Sequence, residues 1–133
     1  VAFQFSTAVR NAAADAIEST IGTAPTLEIR TGAAPANCAA ADSGTVLATM
    51  TLPSDWLAAA SGGAKTLAGT WEDTSADGTG TAGHFRIKVS GTCHIQGSVS
   101  MSGGGGDMIL VNTSIVATQP VSITAFTVTA GGA

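Results

Sequence analysis

The sequence predicts a mainly β protein, an antiparallel β-sandwich of jelly-roll or immunoglobulin-like type, with one α-helix at its N-terminus. Short runs with a period of two recur about every 8–12 residues, joined by Gly, Pro and Asp turns. Ahead of them lies a single apolar stripe with the helical period of 3.6. Large side chains are scarce: Ala, Gly, Ser and Thr make up 73 of 133 residues, so the core is thin. Stability is therefore expected to be shared with sister subunits or a larger lattice. The arm and helix take residues 1–22, and one β domain takes 23–133.

The helix is expected over Thr7 to Ile21. Val9, Ala13, Ala16, Ile17 and Ile21 fall on one stripe, and Ser6 or Thr7 can accept a bond from an orphan N–H as N-cap. Gly22 stops the helix and Pro25 prevents its resumption. Phe3 and Phe5, two residues apart in an extended arm, point the same way and read as an anchor.

Beyond Gly22 the period changes to two. A strand is expected at Thr26-Leu27-Glu28-Ile29-Arg30, ending at Thr31-Gly32, and a small-residue loop at Ala33 to Gly44. A second strand runs from Thr45 to Leu52 before the turn Pro53-Ser54-Asp55. Trp56 and Leu57 then sit in a connection that could lid one end of the core. A third strand is expected within Ala64 to Glu72, then a polar loop from Asp73 to Gly83. In His84 to Val89, Phe85, Ile87 and Val89 face one side, while His84, Arg86 and Lys88 face the other. Cys93, Ile95, Gly97, Val99 and Met101 alternate again, and Gly103 to Gly106 form a tip. Met108 to Val111 is a continuous apolar run, typical of a strand buried on both faces. Val121 to Thr129 is the last strand.

Charge and composition narrow the function. Net charge is −4, and the five basic residues are scattered apart from one pair, which argues against nucleic-acid binding. No stretch has the ~18 apolar residues of a membrane span. The N-terminus lacks the basic and apolar regions of a signal peptide. Val1-Ala2 looks like a chain that lost only its initiator Met, so assembly in a cytoplasm is expected. With no Tyr, two His and two Cys, the kit for catalysis is almost empty. A structural or binding protein is expected, not an enzyme, with no cofactor and no metal.

The local motifs support this. Gly78 to Gly83 matches G-x-G-x-x-G, but a strand follows it where dinucleotide binding needs a helix. It reads as a glycine-rich turn. Cys93 and His94 are adjacent, so on a strand they point to opposite faces and cannot chelate one ion together. Cys93 reads most simply as a small core residue; a disulfide with Cys38 stays open if the mature particle meets oxidising conditions, which a cytoplasm does not favour. His94 is expected on a solvent face. The stripe His84, Arg86, Lys88 reads either as a solvated strand face or as a patch docking onto an acidic partner surface. Asp73 to Gly78 is only loosely like a calcium loop, with His84 where a closing Glu would stand. Asn112-Thr113-Ser114 fits a glycosylation sequon, which matters only after secretion.

The run Phe3-Gln4-Phe5-Ser6-Thr7-Ala8-Val9-Arg10-Asn11-Ala12 resembles a family of small tailed-bacteriophage virion proteins that begin in this way. The resemblance continues through Leu27 to Gly32, Pro35-Ala36-Asn37, Ala59 to Gly63, Ala76 to Ile87 and Gln96 to Val99. The two cysteines stand outside that pattern. It implies a non-enzymatic virion protein, assembled in the host cytoplasm, whose partners are the major capsid protein or another virion protein and copies of itself. The leading expectation is a capsid decoration or cement protein docking through Phe3, Phe5, Val9, Ile17 and Ile21, with His84, Arg86 and Lys88 as a second candidate patch. A tail, neck or fibre component is the alternative. A carbohydrate-binding module is the third reading, since sugar sites stack on exposed aromatics such as Trp56 or Trp71 could be; two Trp in a thin core are also prime candidates for burial.

Overall fold

The computed structural model describes residues 3–132; Val1, Ala2 and Ala133 lie outside the described residues. Helix α1 spans Thr7–Ile21, with the Ser6 hydroxyl accepting from the Val9 N–H and Gly22 closing the C-terminus at φ 99°. The strands are β1 (Thr26–Thr31), β2 (Val46–Thr51), β3 (Ala64–Thr66), β4 (Glu72–Asp73), β5 (Gly80–Val89), β6 (Thr92–Ser100), β7 (Met108–Leu110), β8 (Ser114–Ile115) and β9 (Val121–Thr129).

These strands form one curled sheet, a half-barrel in the order β2-β1-β5-β6-β7-β9-β3, with β4 added on β9 and β8 on β5. The expected sandwich therefore gives way to a single sheet. It is also mixed, because β7 lies parallel to the end of β6 at Val99 and Ser100. A sandwich needs a second sheet to cover the first. Here the outer face of β1, β5 and β6 is covered by the loop between β1 and β2.

The concave face holds the core. Trp56 and Trp71 lie 6.1 Å apart between ring centroids, Trp71 stands 5.7 Å from Phe126, and Phe126 meets Phe85 edge-on at 5.4 Å. Leu27, Ile29 and Ile87 pack beside them from the central strands. The chain is thin in large side chains but concentrates its aromatics in one file. Helix α1 joins this core through Ile21, and the Trp56 indole N–H donates to the Gly22 carbonyl at 2.9 Å.

Two local features explain the departures from the expected elements. The segment Ala64 to Glu72 is two strands, not one, because Gly69 turns the chain at φ +72° between them. Gly80 to Gly83 is strand where a loop was expected. At Gly83 the register of β5 against β1 shifts, and a Cβ there would collide with the backbone of Gly32. Glycine admits this close approach of two strands. The β5–β6 hairpin turns on Ser90 and Gly91, both at positive φ, as a two-residue type I′ connection requires.

Candidate functional site

The stripe His84, Arg86, Lys88 is neither solvated nor available for docking: the three residues are 0%, 2% and 7% exposed. The alternation was read correctly, but the second face of the strand is not open. Residues 32–45 fold over it as a lid. Asp42, in that lid, pairs with Arg86, with the Lys88 ammonium at 2.6 Å and with Arg30 at 3.3 Å. Glu28, next to them on β1, takes Arg30 at 2.8 Å and Lys88 at 3.0 Å. Three cations thus share two carboxylates. The rest of the Arg86 fork donates to the carbonyls of Cys38 and Ala40, at 2.9 and 3.1 Å. His84 Nδ1 donates to the Gly32 carbonyl at 2.9 Å, and the Gln96 amide donates to Pro35 at 2.7 Å. A buried cation is tolerable only with partners of this kind.

The hydrogen bond from Lys88 is the largest influence on the Asp42 carboxyl. With Arg86 and the nearby charge of Arg30, it outweighs partial burial and lowers the pKa to about 2. Cys38 and Cys93 form a disulfide, with Cα atoms 5.1 Å apart, that ties the lid to β6. Cys93 is therefore a cross-link and not a small core residue. Of the two states open to Cys93 from the sequence, the fold selects the disulfide, because the partner that covers this strand lies 55 positions away and no local pattern reports it.

The arm and helix divide differently from the expected stripe. Ile21 is buried and Ile17 is half-buried against the core, but Val9, Ala13 and Ala16 are exposed. The face that packs carries Asn11, Ala14 and Glu18 instead. Ala14 is buried, Asn11 accepts from the Gly63 N–H at 2.7 Å, and Glu18 accepts from the Leu57 N–H at 3.2 Å. Lys65 reaches up from β3 to Asp15 at 2.7 Å and Glu18 at 2.9 Å. Burial alone would lower the Lys65 pKa, but these two carboxylates outweigh it and raise it.

What remains outside is an apolar ridge. Phe3 is 78% exposed, Phe5 47% and Val9 49%. The two rings meet edge-on at 5.3 Å, and the Phe5 N–H donates to the Gly132 carbonyl at 2.8 Å. Ala13 and Ala16 continue the ridge along the helix to a shallow groove against His94 and Ile95.

No protein-family model, curated protein or solved structure matches the chain. Its chemistry is therefore read from its own residues. Among the described residues no three His, Cys, Asp or Glu side chains gather as a metal site. No helix of the described residues is long and apolar enough to cross a membrane. The Asp73 carboxylate is occupied by the backbone N–H groups of Thr49 and Ser75, both at 3.0 Å. Trp56 and Trp71 are both buried, which removes the exposed ring on which the carbohydrate reading rested. His94 is exposed, as expected of it.

One feature was not legible in the sequence. Between β6 and β9 lies a cleft of about 410 Å³, lined by Ile95 and Gln96 of β6, by Phe126 to Val128 of β9, by the nearly buried Phe85 and by Ile17 of the helix. The signals for it lie in pieces: a three-residue β7 between two nine-residue strands.

Proposed function

We propose that the protein is a non-enzymatic bacteriophage virion protein, a capsid decoration or cement subunit bound in many copies to the capsid shell. The observation that carries the reading is the exposed apolar ridge of Phe3, Phe5 and Val9. Exposed apolar surface gathered in one place marks an interaction site. The likeness of the N-terminal run to small tailed-phage proteins supports the same reading. The lid cluster supports it from another side, since the cations are consumed internally and leave an acidic, compact domain.

Quantitative mass spectrometry of the purified particle is expected to find hundreds of copies per virion. About a dozen or fewer, matching the symmetry of a neck or tail ring, would replace this reading with the tail, neck or fibre alternative.

The docking surface has its own test. Removing residues 1–22 is uninformative, because Ile21 belongs to the core and Gly22 holds Trp56. Val9→Glu with Ala13→Glu instead alters exposed positions, where substitutions change stability by about 0.5 kcal/mol or less. Melting is expected to be unchanged while particle binding falls at least tenfold. Binding at the wild-type level would clear the ridge of any docking role.

A further inference from the structure

We propose that the cleft between β6 and β9 receives the N-terminal arm of a second copy of this chain as an added β-strand. The proposal rests on the docking reading and divides its ridge: Phe3 and Phe5 make the contact between copies, and the exposed Val9, Ala13 and Ala16 are left for the shell.

The cleft has the form of a missing strand. β6 pairs with β5 from Thr92 to Ser98 but takes β7 only at Val99 and Ser100. β9 pairs with β7 through Ile123 to Phe126, and with β3 at Thr127–Thr129 on its opposite edge. Among the described residues, Thr92–Ser98 and Thr127–Thr129 thus each keep one edge without a strand, and the two edges flank the cleft. β7 lies in the same slot but is three residues long. Asp107, just before it, already places a carboxylate oxygen 2.9 Å from the Ser98 N–H, where a strand carbonyl would otherwise accept. An incoming strand would continue the line of β7.

Exposed edges are normally blunted by Lys, Pro or a covering segment. The edge of β2 is covered in that way, with Asp77 N–H donating to Leu47 and Asp73 accepting from Thr49. The edges at the cleft carry no Lys and no Pro. A strand added there gains main-chain bonds from both sides and places alternate side chains into the pocket.

The arm fits this slot. Phe3, Gln4 and Phe5 alternate, so both rings fall on one face of an extended chain with Gln4 on the other. Phe3 to Ser6 spans about 13 Å at ~3.3 Å per residue, enough for the open residues of β9 and for about half of those on β6. The rings would land on Phe85 and Phe126 and extend the aromatic file of the core. In its own chain the arm is outside the cleft, as the exposure of both rings shows. Two arms exchanged reciprocally carry four phenylalanines, of which Phe3 keeps 78% and Phe5 47% of its surface still to bury. That is an interface below the ~1,200 Å² of standard size, which suits a weak, concentration-dependent dimer.

The test uses the isolated chain, so its failure is distinct from failure to bind a particle. By sedimentation velocity the full chain is expected to form dimers or larger species as concentration rises, with a melting temperature that rises alongside, and a chain lacking residues 1–5 to be folded, monomeric and to melt independently of concentration. A labelled peptide of residues 1–7 is expected to bind the shortened chain saturably, with NMR shifts confined to the cleft, at Thr92–Ser98, Phe126–Thr129, Ile17, Phe85 and Asp107. A peptide carrying Gln4→Pro, which keeps both rings but removes a main-chain donor, is expected to bind at least tenfold more weakly. A full chain that is monomeric at every concentration, an oligomer unaffected by loss of the arm, or peptide shifts elsewhere would each overturn the proposal.

Discussion

Replacing Cys38 and Cys93 together with serine is expected to cost about 4 kcal/mol, the chain-entropy value for a cross-link spanning 55 residues. At an m-value of about 2 kcal/mol/M, the urea midpoint falls by ~2 M. The physical reason is specific to this fold. The outer face of β1, β5 and β6 bears His84, Arg86 and Lys88, none of which can stay dry without the lid. The disulfide anchors that lid at Cys38, and Asp42 follows four residues later. Without the cross-link, the unfolded chain regains its freedom and the carboxylate must be brought over the cations by weak contacts alone. Denaturant titration with and without reductant checks this. An unchanged midpoint would mean that the ion cluster holds the lid unaided.

The second large effect is expected at Asp42. Asp42→Ala leaves Arg86 and Lys88 with Glu28 as the remaining carboxylate of the cluster. Breaking a fully buried pair costs about 3–5 kcal/mol. Because Asp42 is itself one-third open to water, screening reduces the expected cost to about 2–3 kcal/mol. The pH dependence has a definite sign. The Asp42 carboxyl titrates near 3.8 when unfolded and about 2 when folded, so folding favours its charged form. Its contribution is fully present above pH 3.8 and disappears as the pH falls through about 2. Between pH 5 and pH 2 the wild-type protein should lose more stability than Asp42→Asn, measured by urea midpoints at each pH. Parallel losses would show that Asp42 is not the group responsible.

The two effects should not add. Cys38 and Asp42 hold the same loop, and residues sharing one network couple by about 0.5–3 kcal/mol. In a double-mutant cycle, Asp42→Ala is expected to cost less once the disulfide is gone.

Local patterning was sufficient for several elements. The helix was expected at Thr7 to Ile21 and is found there, because the cap, the stripe and the Gly22 stop are all properties of adjacent residues. The same holds for β9 at Val121–Thr129 and for the alternation of β5. The helical stripe was right in part. Ile17 and Ile21 turn inward, but Ala14 is the buried alanine and Val9 stays outside. With so many alanines, the apolar pattern specifies a helix without specifying which side packs.

The candidate site was legible to a different degree on each side. Phe3, Phe5 and Val9 are on the surface, where an anchor could use them. His84, Arg86 and Lys88 are not, and no pattern within β5 could have revealed it. Asp42, the carboxylate that pairs with Arg86 and Lys88, and the Gly32 carbonyl that takes His84 lie 44 to 52 residues earlier, in a segment that reads as an ordinary small-residue loop. The β6–β9 cleft is further still from the sequence, since an unpaired edge exists only relative to the strands that fail to reach it.

By itself, the sequence determined the periods: one helix, a set of alternating strands, the turns between them, and a shortage of large side chains. Those are consequences of backbone geometry and side-chain size over a few adjacent residues. Only the tertiary structure decided what covers each face. It curled the strands into one sheet, laid residues 32–45 over a cationic stripe that water would otherwise have solvated, and left a cleft lined by Phe85 and Phe126. Burial and pairing depend on residues distant in sequence, and their free energy is settled only when those residues meet.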